Sequence, residues 1–306
     1  MKNAPTNNLN DNGVQQFVTP YTTQYNRRSK NLKPLLFLDI DEVILDSHKA
    51  LVSILNNTFE LNGTSDELSP MFITEWNFDT ILTMLNNRLE DNPELANTLQ
   101  SEGHKLPLTM DYIMFIFETA EFWDEVTFKE GALTLLEHLK EKYHIYFITK
   151  GTDKNNWYKV NWLKTILPFL DTTFTEQDYV YVPIEHKQSK NDVIAKIMVR
   201  YIIDLVCQGV NVHTIFNTLQ LIQVDDNYFN LGSTCNLHIL LKERETNYNQ
   251  VEDIREDLYI AHNLNELEQI LDFYSTYGFD NLEEINPKRK SFVDKIKNII
   301  NNIKGE

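Results

Sequence analysis

Apolar positions along the chain fall into two patterns, short unbroken runs and spaced stripes. The first unbroken run is Leu35, Leu36, Phe37 and Leu38, and it ends in Asp39. A run of this length predicts a strand buried on both faces of a parallel sheet. Runs at Ile145–Ile148, Tyr179–Ile184, Leu221–Val224 and Leu237–Leu241 predict four more strands. Between the runs the period lengthens to that of a helix. Helices are predicted at Ala132–Leu139, at Trp157–Leu167, from Ser189 to about Val206, and at Leu264–Tyr274. Ser189 and Asp192 have the spacing of a capping box at the start of the third. Strands alternating with helices predict an α/β fold, a doubly wound (Rossmann-like) parallel sheet.

Residues 47–128 break this rhythm. A helical pattern runs from about Ser47 to Phe59, and Asn62-Gly63 and Asn92-Pro93 mark turns. Trp76, Phe78, Ile81, Leu82 and Leu85 form one apolar stripe; Tyr112, Ile113, Phe115, Ile116 and Phe117 form another. No strand alternation is visible, so this segment is predicted to be an inserted helical cap. The α/β core then comprises residues 34–46 and 129–285. Residues 1–33 are rich in Asn, Gln and Thr and carry Arg27 and Arg28, which predicts a flexible arm. Residues 286–306 space Phe292, Ile296, Ile299 and Ile300 as a terminal amphipathic helix would.

Composition narrows the function classes. The 306 residues carry a net charge of -17. Such a surface repels a phosphate backbone and disfavours nucleic acid as a partner, without excluding a local pocket for one phosphate. Two cysteines, Cys207 and Cys235, support neither a disulfide framework nor a cysteine metal site. The N-terminus shows no signal-peptide apolar region, and no apolar run approaches the ~20 residues of a membrane span. The expectation is a cytoplasmic protein with no membrane partner; its oligomeric state is left open.

Ligands of open α/β sheets gather at the carboxyl ends of the strands. The residues expected there are Asp39 and Asp41, then Thr149, Lys150 and Gly151, then Lys187 and Lys190, then Asp225 and Asp226. Converging carboxylates repel unless a cation sits among them. Hard oxygen donors with open positions suit Mg2+. A hydroxyl, a backbone turn and a lysine add donors for phosphate oxygens, so the set has the parts needed for phosphoryl transfer. Each signal also has a plain reading. Asp is common in turns after strands, and either lysine could be an ordinary solvated helix charge. Trp76, Phe78, Phe122 and Trp123 could stack on a base or simply form cap core. Asp46 could be a hinge residue or a helix N-cap.

Asp39, Ile40, Asp41, Glu42, Val43 and Ile44 resemble the first motif of the haloacid dehalogenase-like hydrolase superfamily. The resemblance implies that Asp39 attacks phosphorus and becomes an aspartyl-phosphate. It implies that Asp41 serves as general acid and base, its main-chain carbonyl also binding Mg2+. Thr149 matches the second motif, Lys190 or Lys187 the third, and Asp225 with Asp226 the fourth. The metal set implied is Asp39, Asp41, Asp225 and Asp226. The stretch before Asp225 is longer than is usual in that family, which implies an insertion near 207–217. Within the superfamily the chain looks most like the capped 5'(3')-deoxyribonucleotidases. The points of similarity are Asp46, Glu75 to Phe78, Phe122-Trp123, Gly131-Ala132, the residues 221–226 and the strand from Leu237 to Leu240. A magnesium-dependent phosphomonoesterase acting on a small phosphorylated substrate, a nucleoside monophosphate, is therefore expected. Thr149, Lys150, Gly151, Trp76 and Phe78 are the candidate substrate contacts. The alternatives are a phosphatase of nucleic-acid ends or phosphoproteins, and a non-catalytic binding protein on the same fold.

Overall fold

The computed structural model describes residues 32–166, 179–183, 189–251, 255 and 257–277. The expected arm up to residue 31, the C-terminal helix and Lys187 lie outside the described residues.

Six strands form one sheet: β1 Leu35–Leu38, β2 His144–Gly151, β3 Tyr179–Pro183, β4 Leu221–Asp225, β5 Leu237–Leu241 and β6 Leu258–Ala261. They are ordered β3-β2-β1-β4-β5-β6, and every pairing is parallel. The chain winds outward from β1 to β3 and then returns to the other side of β1. The switch point therefore lies between β1 and β4, where this topology opens a crevice. In register, Leu38 faces Phe147 on one side and Val224 on the other.

Five helices separate β1 from the core helix that precedes β2: α1 Ser47–Thr58, α2 Asp79–Asp91, α3 Pro93–Ser101, α4 Met110–Phe117 and α5 Ala120–Glu125. The core helices are α6 Ala132–Lys142, α7 Asp153–Ile166, α8 Lys190–Cys207, α9 Val212–Thr218 and α10 Leu264–Tyr277. Alternation along β1 explains its unbroken apolar run. Leu36 and Leu38 join Leu135, Leu136 and Leu139 of α6 and Leu267 and Leu271 of α10. Leu35 and Phe37 join Ile194, Met198 and Ile202 of α8 and Ile215 of α9 on the opposite face.

Two features go beyond the sequence-based expectation. A sixth strand, β6, closes the far side of the sheet. It has only four residues, and Tyr259 and Ile260 are exposed, so it lacks the apolar run that betrays a central strand. Asp46 precedes α1, but its side chain makes no capping hydrogen bond. The stretch near 207–217 holds the end of α8, the loop after it and most of α9.

The helical insert crosses the carboxyl edge of the sheet and is tied down on both sides. Its base is closed by a bridge between Leu45 and Phe128. On the β2 side, Asn155 Nδ2 donates to the Phe117 carbonyl at 2.9 Å, and Thr152 donates to Glu118. On the β5 side, Asn247 N–H donates to the Thr74 carbonyl at 2.9 Å, and Arg244 donates to the Pro70 carbonyl.

Candidate active site

Asp39 follows β1 directly, and only 6 % of it is exposed. Its N–H donates to the Val224 carbonyl at 3.0 Å, and its Oδ1 accepts from the Ile40 N–H at 2.8 Å. Lys190 is the first residue of α8, behind the Ser189–Asp192 capping box. Its Nζ lies 2.7 Å from Asp39 Oδ1 and 2.8 Å from Asp225 Oδ2. Asp225 ends β4 and is fully buried; its other oxygen accepts from Asn227 N–H at 3.1 Å and from Asn230 Nδ2 at 2.9 Å. One oxygen each from Asp39, Asp225 and Asp226 lies within 4.8 Å of the others.

Burial and neighbouring charges perturb these groups together. Burial pushes the Asp39 carboxyl up to about 7. Lys190 opposes this, while Asp225 and Asp41 add to it. Asp226 is raised well above its ordinary value by burial and by the charges of Asp225 and Asp39. Lys190 is held firmly protonated: burial works against its charge, but Asp225 and Asp39 outweigh burial. Three hard carboxylate oxygens within 4.8 Å of one another suit a small divalent cation of the magnesium type.

Asp41 turns away from that cluster. Its Oδ2 pairs with Lys159 of α7 and lies 3.4 Å from Thr149 Oγ1. Lys159 Nζ also donates to Thr149 Oγ1 at 2.7 Å. Thr149 is buried on β2, while its neighbour Lys150 points out to solvent, as strand alternation requires. Gly151 is buried, and a Cβ there would stand 2.8 Å from Asn155 Oδ1. A larger residue would push Asn155 away from the insert it anchors.

Glu42 adopts a left-handed conformation (φ 56°), which disfavours any residue but glycine. Its carboxylate compensates. It accepts from His48 N–H at 2.8 Å and Ser47 Oγ at 3.1 Å, and it faces His48 Nδ1 at 3.3 Å, Arg244 at 3.7 Å and Lys129 at 3.9 Å. Burial works to raise this carboxyl, but His48 and Lys129 hold it well below the ordinary carboxylate range. The turn that carries Asp39 and Asp41 is thereby fixed to α1 and to the loop after β5.

The structure thus gathers Asp39, Asp41, Thr149, Lys190, Asp225 and Asp226 at the carboxyl edge around the switch point. Between the two candidate lysines, Lys190 has its place within the described residues. Trp76 is 57 % exposed. Phe78 is buried in the insert, edge-on to His48 at 5.8 Å and tilted against Phe117 at 6.1 Å. Sequence reasoning missed Lys159, and it missed the Glu42, His48, Lys129 and Arg244 cluster. A signal for Lys159 existed: Asn155, Lys159 and Leu163 are spaced by four and share the buried face of α7.

No family model and no curated protein sequence matches the chain. Similar solved structures include a haloacid dehalogenase-like hydrolase from Burkholderia xenovorans LB400, 13 % identical, with a TM-score of 0.42, covering 79 % of this chain and 99 % of that one. A HAD-superfamily hydrolase of subfamily IA from Geobacter sulfurreducens PCA is 12 % identical, with a TM-score of 0.41 and coverages of 79 % and 97 %. A magnesium-bound HAD-hydrolase from Bacillus subtilis is 15 % identical, with a TM-score of 0.39 and coverages of 78 % and 98 %. Identities and scores this low carry no residue-by-residue correspondence.

Proposed function

We propose that this chain is a magnesium-dependent phosphomonoesterase of the haloacid dehalogenase type, with Asp39 as nucleophile. The observation that carries this reading is the junction of β1, β4 and α8. There a buried carboxylate, a buried lysine and two further carboxylates meet within a few ångströms. Asp39, Asp225 and Asp226 would hold the magnesium, whose chemistry is to neutralise charge on the phosphoryl oxygens.

In the proposed reaction the Asp39 carboxylate attacks phosphorus, and the bond from phosphorus to the leaving oxygen breaks. Asp41 gives that oxygen its proton. The aspartyl-phosphate is then hydrolysed by a water that loses its proton to Asp41, which releases inorganic phosphate and restores both groups. Lys190 favours the ionised form of Asp39 against the burial that opposes it. Thr149 stands where a phosphoryl oxygen needs a donor.

The helical insert across the carboxyl edge supports a small substrate over a polymer. It covers the side from which a large chain would approach, and the net charge of -17 works in the same direction. A nucleoside monophosphate is the substrate class we favour, on the sequence resemblance to the deoxyribonucleotidases. Asp39→Asn is expected to abolish hydrolysis of p-nitrophenyl phosphate and of nucleoside monophosphates while leaving the far-UV circular dichroism unchanged. Hydrolysis by a folded Asp39→Asn protein at the wild-type rate would overturn the assignment.

A further inference from the structure

Lys159 is the second buried lysine of the site, with 1 % of its side chain exposed. An ammonium in that position is costly unless its donors are used. Two of its three donors have acceptors, Thr149 Oγ1 and Asp41 Oδ2. The Trp123 ring of α5 lies over it, with its centroid 6.0 Å from Nζ. Its counter-charge, Asp41, is 36 % exposed, so the pair opens to solvent on the Asp41 side. As a staple between α7 and the β1 turn this would be a poor device, because a buried ion pair contributes little net stability.

The bond to Thr149 has a second consequence. A hydroxyl has one donor and two acceptor positions. Lys159 fills one acceptor position, which leaves the Thr149 hydrogen directed elsewhere, towards Asp41 Oδ2 at 3.4 Å. That contact is long enough to be exchanged for a better acceptor. The other lysine is already committed, since Lys190 lies between Asp39 and Asp225. An incoming phosphoryl dianion also meets the carboxylates of Asp39, Asp225 and Asp226, so it needs a cation on its own side.

We propose that Lys159 is a phosphate-binding residue, its ammonium and the Thr149 hydroxyl that it orients together receiving one phosphoryl oxygen. This rests on the phosphomonoesterase reading above. Two neutral replacements test it, Lys159→Met and Lys159→Gln. The second keeps a donor for Thr149 and serves where the first does not fold, as judged by far-UV circular dichroism. Inorganic phosphate is titrated into each protein in the presence of magnesium by calorimetry, and magnesium is titrated alone. Phosphate binding is expected to weaken about ten- to a hundredfold, with magnesium affinity unchanged, because a hydrogen bond from a charged donor is lost. A folded variant that binds phosphate as tightly as wild type would overturn the inference, as would an equal loss of magnesium affinity. A wild-type protein that turns over p-nitrophenyl phosphate while its Lys159 variants keep full phosphate affinity would overturn the inference alone. A wild-type protein that neither binds phosphate nor hydrolyses the ester would overturn the phosphomonoesterase reading itself.

Discussion

Asp39 illustrates how one residue is tuned by its position in the chain. The apolar strand before it dictates burial, and burial raises its pKa to about 7. Asp226 moves in the same direction. Both are raised above their values in the unfolded chain. Their protons therefore favour the folded, metal-free protein below about pH 4, and for Asp39 this contribution fades as the pH rises through about 7. A divalent cation needs the ionised carboxylates and competes with those protons. Magnesium is thus expected to raise the melting temperature more at about pH 8 than at about pH 5.5, read by differential scanning calorimetry. Equal stabilisation at both values would contradict this placement of the metal. Asp39, Thr149, Lys190, Asp225 and Asp226 were legible in the sequence because each stands where a periodic element begins or ends. Lys159 carried only the signal of its spacing on the buried face of α7, since its function depends on which residues that face meets across the fold. Glu42 gave no such signal. Its left-handed backbone and the four-partner clamp that holds it were visible only in three dimensions.

Among the elements, α8 sets the geometry of the site. Asn191, next to Lys190, accepts from the N–H groups of Ser233 at 3.1 Å and Thr234 at 3.0 Å. This ties the first turn of α8 to the loop after β4. Gly232 makes the contact possible, because a Cβ there would stand 2.1 Å from Asn191 Oδ1 and 2.5 Å from its Cβ. Gly232→Ala is therefore expected to destabilise the fold by about 1–3 kcal/mol through overpacking. It is also expected to lower turnover by displacing Lys190. Urea unfolding and steady-state kinetics on the same variant check both effects; unchanged values of both would show that the contact is dispensable. The capping box of α8 was readable from Ser189 and Asp192, and the other five strands from their unbroken apolar runs. β6 escaped because it is short and half exposed. It is held by contacts outside itself: Arg255 donates to the Leu231 carbonyl at 2.9 Å and the Gly232 carbonyl at 2.8 Å, and pairs with Asp257.

At the scale of the molecule, a doubly wound sheet brings the ends of β1, β2 and β4 and the start of α8 to one edge, and the insert spans that edge. The strand order accounts for the convergence of residues far apart in sequence: Asp39 and Asp225 meet because β1 and β4 are neighbours across the switch point. The sequence announced an insert by its loss of βα rhythm. The ties that hold it down, from Asn155 to Phe117 and from Asn247 to Thr74, involve backbone carbonyls and leave no trace in composition. Among the described residues, no helix is long and apolar enough to cross a membrane.

The central claim is covalent catalysis by Asp39. The most direct measurement is peptide mass spectrometry after acid quench of the protein turning over p-nitrophenyl phosphate with magnesium. One phosphoryl group is expected on the peptide that contains Asp39, and none in the Asp39→Asn protein. Turnover with no phosphoryl group on that peptide, under quench times that capture the steady state, would contradict the account.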